Sequence, residues 1–115
     1  MSYKFPVQSR IRRREDFQEV YRRGSRLKIF PIRIHYLQRP GADGSRLGLA
    51  LGKRTGPAVL RNRWKRAIRE AFRLHRSELE TPCDIVVSVS WNAGREDVEK
   101  TQGAFLKAVS LINGR

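Results

Sequence analysis

Phe17, Val20 and Tyr21 stand at i, i+3 and i+4 behind the acidic pair Glu15 and Asp16, with Gly24 after them. That spacing predicts a short amphipathic helix that carries two aromatics and is capped at Gly24. From Ser25 the apolar period changes to two: Leu27 and Ile29, then, after a shift at Phe30-Pro31, Ile32, Ile34 and Tyr36. Pro31 marks a break or edge position between a short strand and a longer one. The run Arg39-Pro40-Gly41-Ala42-Asp43-Gly44 is a turn cluster. Beyond it Leu47, Leu49 and Leu51 alternate with Gly48, Ala50 and Gly52, so one face of this strand packs a core while the other is nearly bare. A bare face admits a close neighbour, either a packed helix or a bound chain.

Thr55-Gly56-Pro57 opens a helical pattern that runs to about His75, with Pro57 in its first turn. After the Thr81-Pro82 break, residues 84–91 form a β-rich run, Asn92-Ala93-Gly94 a turn, and a last helix sets Val98, Phe105, Leu106, Val109 and Ile112 on one face. The order is helix, two or three strands, helix, strand, helix. It predicts an α+β sandwich in which helices cover one small sheet.

Wound at 3.6 residues per turn, the central helix gathers Leu60, Trp64, Ile68, Ala71, Phe72 and His75 on one arc. Asn62, Lys65, Arg66, Arg69, Arg73 and Arg76 occupy a second arc, and Arg61 and Arg63 flank the two. A solvated helix face ordinarily mixes charges, yet Glu70 is the only acid between Lys53 and Arg76. Like charges at i,i+4 repel, each pair costing a few tenths of a kcal/mol. A phosphate backbone offsets that cost, because each neutralised phosphate releases counterions and arginine grips it bidentately. Trp64, on the apolar arc, reads as core and not as a stacking platform.

Composition extends this to the whole chain. Of 115 residues, 25 are Lys or Arg and 11 Asp or Glu, a formal net charge of +14. Residues 1–28 carry +6, 29–52 +2, 53–76 +8 and 77–115 −2. Two segments therefore make the basic surface, and a polyanion, with nucleic acid the commonest, repays the self-repulsion. A hydrophobic content of 39% supports a folded chain of one domain over 1–115, in which 1–13 is expected to be a flexible basic segment. The lone Cys83 excludes a disulfide scaffold and a zinc module and fits a reducing cytosol. No apolar run approaches a membrane span, and none resembles a secretion signal. A nuclease of its own would need a His pair or clustered carboxylates, but His35 and His75 lie on different elements. Glu96, Asp97 and Glu99 suit a helix start. No catalytic residue and no metal site is predicted on the protein.

The run from Gly56 to Arg73, with Arg61-Asn62-Arg63 followed by Lys65-Arg66 and Arg69, closely resembles the signature of the bacterial ribonuclease P protein subunit. Residues 46–54, 14–21 and 84–87 are similar to the strand, first helix and last strand of that family. The resemblance implies a ribosomal-protein-S5 domain-2-like fold of order αβββαβα, with a four-stranded sheet and a left-handed βαβ crossover against the usual right hand. It also implies a cytoplasmic protein that assists a catalytic RNA in Mg2+-dependent removal of the 5′ leader from precursor tRNA. The Mg2+ would belong to the RNA, and no membrane or obligate protein partner is implied. Carried over by position, Lys53, Arg54, Arg61, Asn62, Arg63, Lys65, Arg66, Arg69 and Arg73 would contact the RNA subunit. Phe17, Tyr21, His35 and Tyr36 would line the leader cleft, although helical spacing alone reads Phe17 and Tyr21 as core. The chain departs from the family pattern at Ser90-Trp91-Asn92, where a basic residue is common, and at Gly52, where Ser or Thr is common. Charge and fold class alone would also suit a ribosomal or other structural RNA-binding protein. A DNA-reading helix is disfavoured, since Asn62 is its one obvious base reader.

Overall fold

Alternation along each strand divides its side chains between two faces, and the two faces meet different partners. The structure is a computed structural model that describes residues 9–114. Its elements are α1 (Arg14–Arg23), β1 (Ser25–Ile29), β2 (Ile32–Gln38), β3 (Arg46–Leu49), α2 (Ala58–His75), β4 (Cys83–Val89) and α3 (Thr101–Ile112). This is the αβββαβα order of an α+β fold. The strands form one mixed sheet in the order β1-β2-β4-β3. β2 pairs antiparallel with β1 and β4, while β3 and β4, joined through α2, are parallel.

One face carries Leu27, Ile32, Ile34, Leu47, Ile85 and Val87, which meet Ile68 and Phe72 of α2 and Phe105 and Val109 of α3. The Phe72 and Phe105 rings pack edge to face at 6.2 Å between centroids. Each such side chain, taken fully out of water, contributes about 1.5–3 kcal/mol. Trp64 is 0% exposed, as the apolar arc predicts.

The opposite face carries α1. Val20 packs on Val86 and Ile11, with Phe17, Leu37 and Ala50 beside them. The bare face predicted for residues 48–52 is occupied at its start: a Cβ on Gly48 would lie 2.7 Å from the Phe17 ring and 3.3 Å from Ile11. Gly24 caps α1 for a similar reason, since a Cβ there would meet the Tyr36 and Val20 carbonyl oxygens at 2.4 and 2.5 Å. Of the basic segment 1–13, residues 1–8 lie outside the described residues. Within the remainder, Arg10 bridges to Leu47, Ile11 N–H donates to the Leu47 carbonyl at 2.9 Å, and the Ile11 side chain is buried, while Arg12 and Arg13 are exposed.

Local boundaries differ from the periodicity in three places. β3 ends at Leu49, and residues 53–55 form a 3-10 turn before α2, closed by Gly56 at a φ of 129° that favours glycine. Pro57 is the N-cap of α2 and not its first helical residue. The acids expected to open the last helix lie in a preceding 3-10 segment, Arg95–Lys100. There Asp97 accepts from the Gly94 N–H at 2.9 Å and from Lys100 at 2.9 Å.

Candidate nucleic-acid interface

The polar arc of α2 is open to solvent. Asn62, Arg63, Arg66 and Arg69 are exposed, and Arg61, Lys65 and Arg73 are half-buried along the helix. Arg73 donates to Glu70 at 2.6 Å, and that hydrogen bond holds the Glu70 carboxyl below its usual pKa. The single acid of this surface is thereby spent on the last predicted contact. Lys53 and Arg54 stand exposed on the 3-10 turn just ahead of α2, so the cations form one continuous run. Lys65 and Arg69 also reach the edge strand β3, where with Arg10, Ile11, Phe17 and Leu47 they line a groove of about 280 Å³.

A second cationic surface lies across the sheet face that carries α1. Register places Arg26 opposite His35 and Lys28 opposite Arg33, with His35 opposite Val86 and Arg33 opposite Ser88. These side chains share one face. α1 covers Val86, whereas Arg33, Ser88 and Ala50 remain half-exposed and Lys28 exposed, so an open trough runs between α1 and the far end of the sheet. On its α1 wall Tyr21, 46% exposed, meets the His35 ring edge-on with centroids 4.8 Å apart. Burial, together with Arg26 and Arg33, lowers the His35 pKa and keeps the ring neutral at pH 7. Burial raises that of Tyr21, so its phenol stays a hydrogen-bond donor. Neutral rings over a cationic floor suit bases stacked above their phosphates.

Phe17, Tyr21 and His35 are thus brought together, Phe17 serving both as packing on Gly48 and as the inner end of the wall. Tyr36 is not. One residue past His35, it points to the other face and packs against the main core. The expectation that Tyr36 lines the cleft is corrected by the two-residue period of β2. Three cations of the trough, Arg26, Lys28 and Arg33, are not singled out as site residues by the sequence reading, although their signal is the same alternation: they alternate with the apolar residues Leu27, Ile29, Ile32 and Ile34.

Several carboxylates are committed to internal partners. Asp84, 2% exposed, accepts two bonds from Arg46 at 2.8 and 2.6 Å and one from Arg39 at 2.9 Å. Glu19 is held by Arg22 and Arg23. Among the described residues no three His, Cys, Asp or Glu side chains converge as metal ligands do. His75 ends α2 with its Nδ1 donating to Glu78 at 2.5 Å and its Nε2 accepting from Gln102 at 3.2 Å. No helix among the described residues is long and apolar enough to cross a membrane.

The sequence model of the family described as Ribonuclease P matches residues 5–112. A protein named ribonuclease P protein component from Desulfovibrio desulfuricans is 44% identical over 94 residues, covering 80% of this chain and 72% of that protein. The Dictyoglomus thermophilum protein of the same name is 37% identical over 97 residues, covering 84% and 80%. The fold is similar to the Staphylococcus aureus RNase P protein, with a TM-score of 0.75 at 30% identity over 91% of this chain and 98% of that one. It is also similar to the RNase P protein of Thermotoga maritima, with a TM-score of 0.72 at 29% identity over 92% and 96%.

Proposed function

The chain belongs to the ribonuclease P protein family, and from that premise we propose how its two basic surfaces divide the work of the ribonucleoprotein. The α2 face, extended by Lys53 and Arg54, binds the catalytic RNA subunit through its phosphates. The trough holds the single-stranded 5′ leader of precursor tRNA, with Phe17, Tyr21 and His35 stacking on bases and Arg26, Lys28 and Arg33 along the backbone. In this reading hydrolysis, with the Mg2+ it requires, belongs to the RNA, while the buried Asp84 and Asp97 of the protein are engaged by Arg39, Arg46 and Lys100. The protein contributes affinity and charge screening: cations between crowded phosphates lower the Mg2+ concentration the RNA needs. Work on RNA in the cytoplasm follows from the same reading.

The observation that carries this reading is the presence of two cationic surfaces on one small domain, only one of them lined with aromatic rings. A structural RNA-binding protein needs the first surface but has no use for the second. The test is reconstitution. The purified chain, mixed with a bacterial ribonuclease P RNA at low Mg2+, is expected to stimulate cleavage of precursor tRNA. Phe17→Ala is expected to reduce the affinity gained from a 5′ leader by roughly 5-fold or more while sparing leaderless tRNA, the loss of one stacked base. Absence of stimulation, or equal losses on both substrates, would argue against it.

A further inference from the structure

Arg76 belongs to the polar arc of the helical wheel, yet neither basic surface uses it. It stands half-buried at the C-cap of α2, where it donates to Ser9 Oγ and lies 6.0 Å from the centre of the Phe72 ring. Glu70 is held by Arg73 and Glu78 by His75, and among the described residues no carboxylate pairs with Arg76. A guanidinium withdrawn from water without a counter-ion is costly. Arg76 lines an open cavity of about 710 Å³ together with Ser9, Arg39, Ser45, Arg46 and Ser77, at the end of the sheet where β2 finishes and β3 and β4 begin. The loop between β2 and β3 is fixed there: Arg39 N–H donates to the Pro82 carbonyl at 2.7 Å and Cys83 N–H to Ser45 Oγ at 2.9 Å. Ser9 and Ser45 are 6% and 8% exposed, and each hydroxyl oxygen already accepts a bond, which leaves its O–H to donate. Two carboxylates share the cavity. Asp84 is occupied by three hydrogen bonds from Arg46 and Arg39, and Asp43 is exposed to solvent. Arg39 gives Asp84 a single N–H and keeps the rest of its guanidinium donors.

We infer that this cavity is an anion site for a phosphate ester, gripped between Arg76 and Arg39, with Ser9, Ser45 and Ser77 supplying hydroxyl donors. A tetrahedral group with several oxygens suits donors that arrive from different sides, whereas a carboxylate fills a single guanidinium fork. The cavity is larger than a bare phosphate ion, so the group enters attached to a free nucleoside or to an RNA strand. The site is separate from both basic surfaces. The open part of the trough, at Arg33 and Ser88, lies at the other end of the same strands, and Lys53 and Arg54 lie at the other end of α2. The inference therefore stands without the division of labour proposed above.

The test follows backbone amide resonances of the full chain as inorganic phosphate, and then uridine 5′-monophosphate, replaces chloride at constant ionic strength. The amides of Gly44, Ser45 and Ser77 are expected to shift and saturate, and Arg76→Gln to raise the concentration needed roughly 10-fold or more. Ser77→Asp, at an exposed position, sets a carboxylate against the incoming anion and is expected to abolish the response. Arg95→Gln removes an exposed cation that does not line the cavity, and it should leave the titration unchanged. Affinities for ribonuclease P RNA and for precursor tRNA, measured over a salt series without nucleotide, identify the source of the phosphate. A strand phosphate in the cavity predicts that Arg76→Gln weakens one of these RNAs and flattens its slope of log K against log salt by ~1. Unchanged affinity for both RNAs, with the phosphate response lost, assigns the site to a free nucleotide. No saturating shift at positions 44, 45 and 77 overturns the site. So does a response in Arg76→Gln and Ser77→Asp equal to that of the unaltered chain, or a loss in Arg95→Gln as large as in Arg76→Gln.

Discussion

Asp84 illustrates how one residue holds the trough in place. Burial alone would raise its pKa, but the hydrogen bonds from Arg46 and Arg39 outweigh burial and hold the carboxyl below its ordinary value. Arg46 also reaches Asp16 of α1 at 3.4 Å, so the pair ties the wall of the trough to its floor. A carboxyl with a depressed folded pKa adds stability above its unfolded value, about 3.9, and loses it as pH falls through the folded one. Asp84→Asn should therefore destabilise the protein at pH 7 by about 3 kcal/mol, the low end for breaking a buried pair because both arginines keep some access to water. The gap between the two proteins should close as the pH falls below 4. Urea denaturation at several pH values measures both. Nothing in the sequence announces this network: Arg39, Arg46 and Asp84 are far apart in the chain, and each alone reads as a surface charge. At the same scale, His35 and Tyr36 show how far a one-residue ambiguity reaches, since in a strand the neighbour of a cleft residue belongs to the opposite face.

Among the elements, α2 was the most legible. Eighteen residues with an uninterrupted apolar stripe and a single acid leave little doubt about period, buried face or charge. The strands were legible in number and order but not in length, because β3 is too short for its alternation to show where pairing stops. The trough was missed as a basic surface for a related reason. Its cations are spread over β1 and β2, and only the pairing register makes them neighbours. Within α2 the ion pair between Arg73 and Glu70 makes a quantitative distinction. Arg66→Ala should weaken binding to the RNA subunit and flatten the slope of log K against log salt by ~1. Arg73→Ala should change that slope less, because its guanidinium is already partly neutralised. Glu70→Gln should tighten binding and steepen the slope, as Arg73 is released to the phosphates. Affinities measured over a salt series separate the three; equal slopes for Arg66→Ala and Arg73→Ala would remove the role given to Glu70.

At the scale of the whole molecule, the question is whether the two surfaces act independently. α2 and α1 lie on opposite faces of the sheet, which argues for independence, and substitutions at sites well apart usually add within about 0.5 kcal/mol. The edge of β3 breaks this separation. There Lys65 and Arg69 of α2 line one groove with Phe17 of α1 and with Arg10, held in place by the bridge to Leu47. RNA crossing that edge would touch both surfaces at once. Double-mutant cycles on precursor tRNA binding by the holoenzyme should therefore split by position. Phe17→Ala combined with Arg63→Ala should be additive, since Arg63 does not line the groove, whereas Phe17→Ala with Lys65→Ala should show a coupling of about 0.5 kcal/mol or more. Coupling of the same size in both cycles would mean that the effects travel through the fold of the domain and not through RNA shared at the β3 edge. Additivity in both would mean that leader and RNA subunit occupy separate surfaces, with the groove between them unused.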